Sequence, residues 1–144
     1  MKEFKGRVVI PGKVSADALV TKQGFNTLAS MQMMFIDKKT KCVDQNNHDI
    51  YKKQIKGKAL CLPQTIGSTT GGMILYCAAS LERQPACLLF SKPIDSLAAA
   101  GSILADIWTE NSMPTIDCLG DEFLEYVKTG MKIIIKDDGV VVVE

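Results

Sequence analysis

The segment of this sequence best suited to chemistry is residues 64–72, where three hydroxyl-bearing residues stand between glycines. Hydroxyl groups can donate hydrogen bonds to carboxylate or phosphate oxygens, and glycine lets the backbone approach a ligand closely. The segment therefore predicts a binding site for an acidic small molecule. Its candidate residues are Thr65, Gly67, Ser68, Thr69, Thr70, Gly71 and Gly72.

Two regular elements are expected to position this segment. Residues 59–62 form a short apolar run closed by Pro63, which predicts a buried strand. Residues 71–83 carry apolar side chains at the i, i+3, i+4, i+7 spacing of an amphipathic helix, namely Ile74, Leu75, Ala78 and Leu81. The segment then joins the carboxyl end of a strand to the amino end of a helix, where free backbone N–H groups favour an anion.

A simpler interpretation of the same residues stays open. Serine and threonine are also the preferred N-caps of helices, and glycine is the preferred turn residue, so the segment could serve only to start the helix. It lacks the Gly-Lys-Ser/Thr of a P-loop and shows no G-x-G-x-x-G pattern. A nucleotide site is therefore not indicated.

The remaining elements suggest a β-rich first half followed by strands that alternate with helices. Strands are predicted at 7–10, 18–21, 59–62, 86–90 and 115–118, and residues 31–36 could form another. Residues 94–109 predict one helix, or two short ones broken near Gly101, and residues 121–128 predict a helix ended by Gly130. Asp95 and Ser96 are expected to cap the helix start.

The tail predicts a hairpin, with strands at 132–135 and 140–143 and a turn at Asp137-Asp138-Gly139. Together the elements give β-α-β-α-β after the β-rich half. The expected fold class is α/β, as a single three-layer β/β/α domain over residues 1–144 in which sheet packs on sheet and helices lie outside.

Composition excludes several classes of partner and compartment. The 144 residues include 17 Lys and Arg against 16 Asp and Glu without a long basic run, so no nucleic-acid partner is expected. A 47% hydrophobic fraction argues against disorder. No run reaches the length of a membrane span, and the first residues do not resemble a secretory signal. Five cysteines without a C-x-x-C pair indicate a reducing cytoplasm.

Other residues that could do chemistry have ordinary structural explanations. His48 is the single histidine, so histidine-based metal clusters are excluded, and we expect it in a solvated loop. Asp37 and Asp44 are expected to cap turns, with a pocket mouth as the alternative. Met31, Met33 and Met34 are expected in the core or against a partner.

The cysteines, namely Cys42, Cys61, Cys77, Cys87 and Cys118, are expected to be structural, and no metal is expected in this chain. Trp108 is expected in the core with Ile103, Leu104 and Ile107.

Four stretches of this sequence resemble the swivel domain of the aconitase X family. They are Lys-Gly-Arg-Val-Val-Ile-Pro-Gly at 5–12, Gly-Lys-Ala-Leu-Cys-Leu-Pro at 57–63, Gly-Ser-Thr-Thr-Gly at 67–71, and Ile-Asp-Ser-Leu-Ala-Ala-Ala-Gly-Ser-Ile-Leu-Ala at 94–105. The resemblance implies a swivel domain fused to, or a small subunit beside, a larger chain that carries an iron–sulfur cluster. The pair would be a hydro-lyase that dehydrates a small hydroxy acid or a phosphorylated hydroxy acid, as in cis-3-hydroxyproline or phosphomevalonate dehydration.

The resemblance also implies roles for the loop residues. Ser68 matches the serine that acts as the base, as an alkoxide, in aconitase-like enzymes, and its neighbours would bind substrate. No cofactor is expected in this chain, which would be inactive without its larger partner. Two departures leave an alternative open, a non-catalytic ligand-binding or scaffolding domain. Ile66 replaces the arginine of the family's Gly-Arg-Gly-Ser, and residues 31–37 replace its Ser-Phe-Trp-Gly-Gly-Val-Asp.

Overall fold

A computed structural model describes residues 1–136 and 138–144 of the chain. The strands are β1 (Lys2–Lys5), β2 (Arg7–Ile10), β3 (Val14–Val20), β4 (Phe25–Asn26), β5 (Ala59–Leu62), β6 (Thr65–Ile66), β7 (Cys87–Phe90), β8 (Thr115–Asp117), β9 (Lys132–Ile135) and β10 (Val140–Val143). The helices are α1 (Thr27–Met31), α2 (Gly71–Ser80), α3 (Ser96–Trp108) and α4 (Asp121–Tyr126), and a 3₁₀ turn covers Gln32–Phe35.

Eight of these strands form one mixed sheet in the order β1-β10-β9-β3-β5-β7-β8-β2. The central strands β3, β5, β7 and β8 are parallel, whereas β9, β10, β1 and β2 join antiparallel. Although β1 and β2 are consecutive in the chain, they lie at opposite edges of the sheet, so the sheet must curl. Gly6 lies where the edges approach, since its amide donates to the Gly139 carbonyl and an added Cβ would stand 2.4 Å from the Asp117 carbonyl oxygen.

Side chains along the central strands point alternately to the two faces of the sheet, and a hydrophobic core lies on each face. Leu60 and Leu62 of β5 pack in a cluster with residues of α2 and α3. Ala59 and Cys61 of the same strand join a second cluster with Phe4, residues of β9 and β10, and α4. The antiparallel half of the sheet, together with α4, therefore covers one face of the parallel half, while α2 and α3 cover the other. This confirms the α/β fold class and its three layers.

The segment 31–36 is the clearest error of the sequence prediction. It contains the end of α1 and the 3₁₀ turn instead of a strand. Asn26 caps α1 by accepting a hydrogen bond from the Ala29 amide at 3.1 Å. Met31 and Met34 are both fully buried, as a helical spacing of three allows.

Gly101 lies inside an unbroken α3, so the alternative of two short helices is wrong. A Cβ at Gly101 would stand 2.6 Å from the Gly72 carbonyl oxygen, and a Cβ at Gly72 would stand 2.6 Å from the Leu97 carbonyl oxygen. The two glycines therefore allow α2 and α3 to pack with their backbones in contact. Gly101 marks a helix crossing and not a helix end.

The chain after α3 follows the prediction with two changes. Helix α4 ends at Tyr126, before the predicted Lys128, because Val127 turns to an extended backbone conformation. Gly130, which has φ of +97°, lies in the following turn, where its amide donates to the Ala18 carbonyl at 2.9 Å. The hairpin of β9 and β10 is confirmed, while Asp137 of its predicted turn lies outside the described residues.

The expectation that Trp108 and its neighbours form core is wrong. Trp108 is 71% exposed, Ile107 is 64% exposed, and Ile103 is exposed too. Helix α3 buries its small residues instead, because the close approach of α2 leaves no room for large ones. Leu81, just beyond the end of α2, is likewise exposed. Among the described residues no helix is both long enough and apolar enough to span a bilayer.

Candidate active site

The hydroxyl-rich segment begins as a strand and not as a loop. Thr65 and Ile66 form β6, which pairs in parallel with Phe25 and Asn26 of β4. Gly67 then has φ of +94°, and a Cβ at this position would stand 2.6 Å from Nδ2 of Asn26. Only glycine meets both conditions without strain. The Asn26 side chain and Gly67 together set where the next residue emerges.

Ser68 emerges exposed at the amino end of α2. Its Oγ accepts a hydrogen bond from the Thr70 amide at 3.1 Å and donates to Thr70 Oγ1 at 3.1 Å. Thr70 is the N-cap residue of α2, but its side chain makes no capping hydrogen bond to the helix. The Ser68 oxygen thus lies beside a backbone N–H group, at the end of a helix that carries partial positive charge.

Thr65 is tied to the start of α3 through Asp95. The Asp95 carboxylate accepts hydrogen bonds from the Thr65 amide at 2.9 Å and from the Thr65 hydroxyl at 2.5 Å. The same carboxylate caps α3 by accepting from the Ala98 amide at 3.0 Å. This confirms Asp95 as a cap, whereas Ser96 is the first residue of the helix. One side chain therefore fixes both the helix and the strand that leads into Ser68.

An ion pair between exposed Arg7 and buried Asp117 holds the residue before Asp95. Asp117, fully buried at the end of β8, accepts hydrogen bonds from Arg7 at 2.9 and 2.5 Å and from the Ile94 amide at 2.7 Å. Burial alone would raise the pKa of Asp117, but these hydrogen bonds and the Arg7 charge lower it below the ordinary value. The charged carboxylate is thus the form that the fold stabilises, and it anchors the connection from β7 to α3.

Comparison with known proteins decides the family. A family model described as the aconitase X swivel domain matches residues 3–143, which is nearly the whole chain. The chain belongs to the aconitase X swivel domain family. It is similar to the phosphomevalonate dehydratase small subunit of Methanosarcina mazei, with 28% identity over 133 residues that cover 92% of this chain and 84% of the relative. It is also similar to the subunit of that name from Methanocaldococcus jannaschii, with 29% identity over 133 residues that cover 92% and 90%.

A solved structure agrees with this assignment. The crystal structure of Thermococcus kodakaraensis aconitase X in its holo-form matches this swivel domain with a TM-score of 0.82 and 27% identity. The match covers 100% of this chain and 99% of that one. The fold described above is therefore that of an aconitase X swivel domain.

The other predicted loop residues of this swivel domain differ in accessibility. Thr69 and Thr70 are exposed, as Ser68 is, whereas Gly71 is buried against Thr27 of α1. Ile66, which is 55% exposed, and Met73, which is 53% exposed, stand on either side of the loop. Ser68 thus lies in the chain between two exposed apolar side chains from which a covering surface would exclude water.

The remaining candidate residues have structural surroundings. His48 is exposed in a turn, as expected. Asp37 and Asp44 cap turns, since Asp37 accepts from the amides of Lys39 and Lys41 and Asp44 from the amide of Asn46. The hydrogen bonds from the Lys41 amide and then the Lys39 amide lower the pKa of Asp37.

The cysteines differ in burial. Cys42, Cys61 and Cys87 are buried, and burial raises the pKa of each thiol, whereas Cys118 is exposed. Among residues 1–136 and 138–144, no three His, Cys, Asp or Glu side chains cluster in a way that could hold a metal ion.

The residues that hold the Ser68 loop in place have no local signal in the sequence. Asn26 carries no signal for its contact with Gly67, because the two are far apart in the chain. Asp95 was identified as a cap after Pro93, but its tie to Thr65 depends on how the two strand ends are placed beside each other. Lys22 and Lys92 also gave no signal, although both line a cleft beside the loop.

Proposed function

We propose that this swivel domain is the small subunit of a hydro-lyase that removes water from a phosphorylated hydroxy acid. The observation that carries the proposal is the placement of Ser68, whose Oγ lies exposed at the amino end of α2 beside a backbone N–H donor. The curated relatives named phosphomevalonate dehydratase small subunit support the assignment and favour phosphomevalonate as the substrate.

In this mechanism the Ser68 alkoxide accepts the proton from the carbon next to the one that bears the hydroxyl group. The electron pair of the broken C–H bond forms the double bond. The hydroxyl group leaves with its bonding electrons and, once protonated, is released as water. Serine is too weak an acid to ionise alone, so its oxyanion must be stabilised by the Thr70 amide and the positive end of α2. The Thr70 hydroxyl accepts from neutral Ser68 and would turn to donate to the oxyanion.

The loop needs a second chain to become an active site. Hydrogen bonds and a helix dipole stabilise an oxyanion strongly only where water is excluded, and Ser68 is exposed in this chain. We infer that a larger subunit docks over residues 64–72 and covers Ile66 and Met73. An iron–sulfur cluster on that subunit would supply the Lewis acid for the leaving hydroxyl group. The swivel domain alone is then inactive, and the complex belongs in the cytoplasm.

The test is made on the complex formed by co-expressing this chain with its larger partner. Ser68→Ala should lower kcat for water elimination by about 10²–10⁴-fold, because the general base is lost. Thr69→Val is the matched control at the next exposed position, and it should act mainly on KM, since a group that only positions an anion stabilises substrate and transition state alike. Melting temperature and cluster content are measured beside the kinetics.

The alternative function, a non-catalytic ligand-binding or scaffolding domain, is favoured by Ile66, which stands where the family has an arginine. If the domain is non-catalytic, the folded Ser68→Ala complex should eliminate water from the substrate as fast as the wild-type complex does. A second outcome that fits this alternative is that no complex eliminates water at all. Either result would return the loop to the role of a helix start.

A further inference from the structure

A cleft of about 410 Å³ opens beside the Ser68 loop. It lies beyond the carboxyl ends of the parallel strands β3, β5 and β7 and before the start of α4. The residues on its walls include Lys22, Gln64, Ile66, Ser91, Lys92 and Asp121. Ile66 and Gln64 belong to the segment that leads into Ser68, so the cleft and the candidate base share a wall.

Two lysines face this cleft without a partner of their own. The side chains of Lys22 and Lys92 form no hydrogen bond or ion pair with any other residue in the described ranges 1–136 and 138–144. Their backbones are held firmly, since the Lys22 amide donates to Asp49 Oδ2 at 2.8 Å and the Lys92 carbonyl accepts from the Cys118 amide at 3.2 Å. Both exposed side chains are thus carried on fixed backbone at the wall of the cleft.

Ser91 supplies a second and independent observation. It is 5% exposed on the wall of the cleft, and its Oγ has no hydrogen-bond partner among the described residues. Its backbone is fixed on both sides, because its amide donates to the Leu62 carbonyl at 3.0 Å and its carbonyl accepts from the Gly120 amide at 2.8 Å. A buried hydroxyl without a partner is costly. The Ser91 Oγ is itself closed to solvent, so it would donate to a ligand oxygen in the cleft after a rotation about its Cα–Cβ bond.

The charges on the walls favour an anion. Among residues 1–136 and 138–144, Asp121 is the one carboxylate that lines this cleft, and it lies in the first turn of α4, where the helix end offsets part of its charge. Two ammonium groups against one carboxylate leave a net positive charge. Lysine binds oxyanions as a compact point charge with three donors, and the Ser91 hydroxyl adds a neutral donor.

We propose that this cleft binds an oxyanion head group of the substrate through Lys22 and Lys92, with Ser91 as an additional donor. The inference rests on the proposed function, since the ligand is a substrate only if Ser68 is the base. The cleft then provides the positive charge that Ile66 does not. The lysines act from the ends of β3 and β7, on the side of the loop where Ile66 and Gln64 lie.

The first experiment titrates the isolated full chain with inorganic phosphate at constant ionic strength and pH 7 and follows backbone amide shifts by NMR. Saturable shifts are expected at residues 22, 64, 91 and 92. Lys22→Gln and Lys92→Gln should each raise the Kd about 3–10-fold, and the double variant should abolish saturation. Lys38→Gln, an exposed lysine away from the cleft, is the matched control and should leave the Kd unchanged. Acetate in place of phosphate distinguishes a carboxylate from a phosphate ligand.

The outcomes separate this proposal from the proposed function. Ser68→Ala should bind phosphate as the wild type does, and an inactive Ser68→Ala complex with intact phosphate binding supports both. Non-saturable shifts, or equal Kd values for the wild type and the Lys22→Gln/Lys92→Gln double variant, would overturn the cleft assignment and leave Ser68 untouched. If these lysines instead bind acidic residues of the larger subunit, the double variant weakens subunit association while phosphate shows no saturable binding, which also overturns the assignment.

Discussion

Asp95 accepts two hydrogen bonds from Thr65, thirty residues earlier in the chain, one from the amide and one from the hydroxyl. The bonds join the amino end of α3 to β6, which leads directly into Gly67 and Ser68. Ser68 is thus positioned by a carboxylate that does not touch it. Asp95 therefore stabilises α3 as its cap and also positions the strand that leads to Ser68, and the two effects can be measured separately.

Asp95→Ala removes the cap of α3 and both bonds to Thr65. A lost cap costs about 1 kcal/mol and a lost hydrogen bond about 1 kcal/mol, so unfolding in urea should show a loss of about 2–3 kcal/mol. Ser96→Ala, one residue on, is the control and should cost little, because the Ser96 side chain is exposed and forms no hydrogen bond within the described residues. Equal stability losses in the two variants would contradict the role of Asp95.

Arg7→Leu removes both guanidinium donors from the buried Asp117 carboxylate and leaves it with the Ile94 amide and the Cys118 side chain. Urea unfolding at pH 7 should show a loss of stability that is smaller than the about 3–5 kcal/mol of a fully buried pair, because Arg7 is itself exposed. Because the folded-state pKa of Asp117 is lowered, the stabilisation is present above the unfolded pKa and is lost as pH falls through the folded pKa.

The difference between wild type and Arg7→Leu should therefore shrink as pH falls below about 4. Urea unfolding from pH 7 to pH 2.5 measures it. Lys136→Gln, which removes an exposed 3.9 Å ion pair with Glu3, is the control and should change stability by less than about 0.5 kcal/mol at any pH. A difference that stays constant with pH would show that Arg7 acts through packing and not through charge.

Gly101→Ala tests the crossing of α2 and α3. Alanine would gain about 1 kcal/mol in helix propensity, but its Cβ would stand 2.6 Å from the Gly72 carbonyl oxygen, and forced repacking costs about 1–3 kcal/mol. We expect a lower melting temperature. The adjacent exposed Ala100→Gly gives the size of the propensity effect alone, about 1 kcal/mol. A Gly101→Ala protein more stable than wild type would show that the helices can move apart freely.

Trp108→Gln tests whether the end of α3 is outside the core. Because Trp108 is 71% exposed, the free energy of unfolding should change by no more than about 0.5 kcal/mol. Phe123→Ala is the comparison, since Phe123 is fully buried beside Phe4 and its loss should cost about 3–5 kcal/mol. Similar losses in both variants would place Trp108 back in the core.

The sequence by itself determined the elements whose signal is local. The apolar run of β5 and β7, the spacing of buried residues in α2 and the Asp95 cap of α3 were all predictable, because each depends on residues within a few positions of one another. The Gly67-Ser68 loop was found for the same reason. Three features could not be predicted from the sequence: the order of strands, the exposure of Trp108 and the continuity of α3 through Gly101. A glycine or an apolar side chain has the same local pattern at a helix crossing, in a core or on a surface.

Tertiary structure decided what surrounds Ser68. Asn26 contacts Gly67, Asp95 accepts hydrogen bonds from Thr65, and Lys22 and Lys92 line the same cleft. The two members of each pair are roughly thirty to seventy residues apart in the chain. Such pairs leave no periodicity or spacing in the sequence, since they arise only when the curled sheet brings the ends of β3, β5 and β7 to one edge. The serine was visible in the sequence, whereas the groups that place and charge its surroundings depend on the fold.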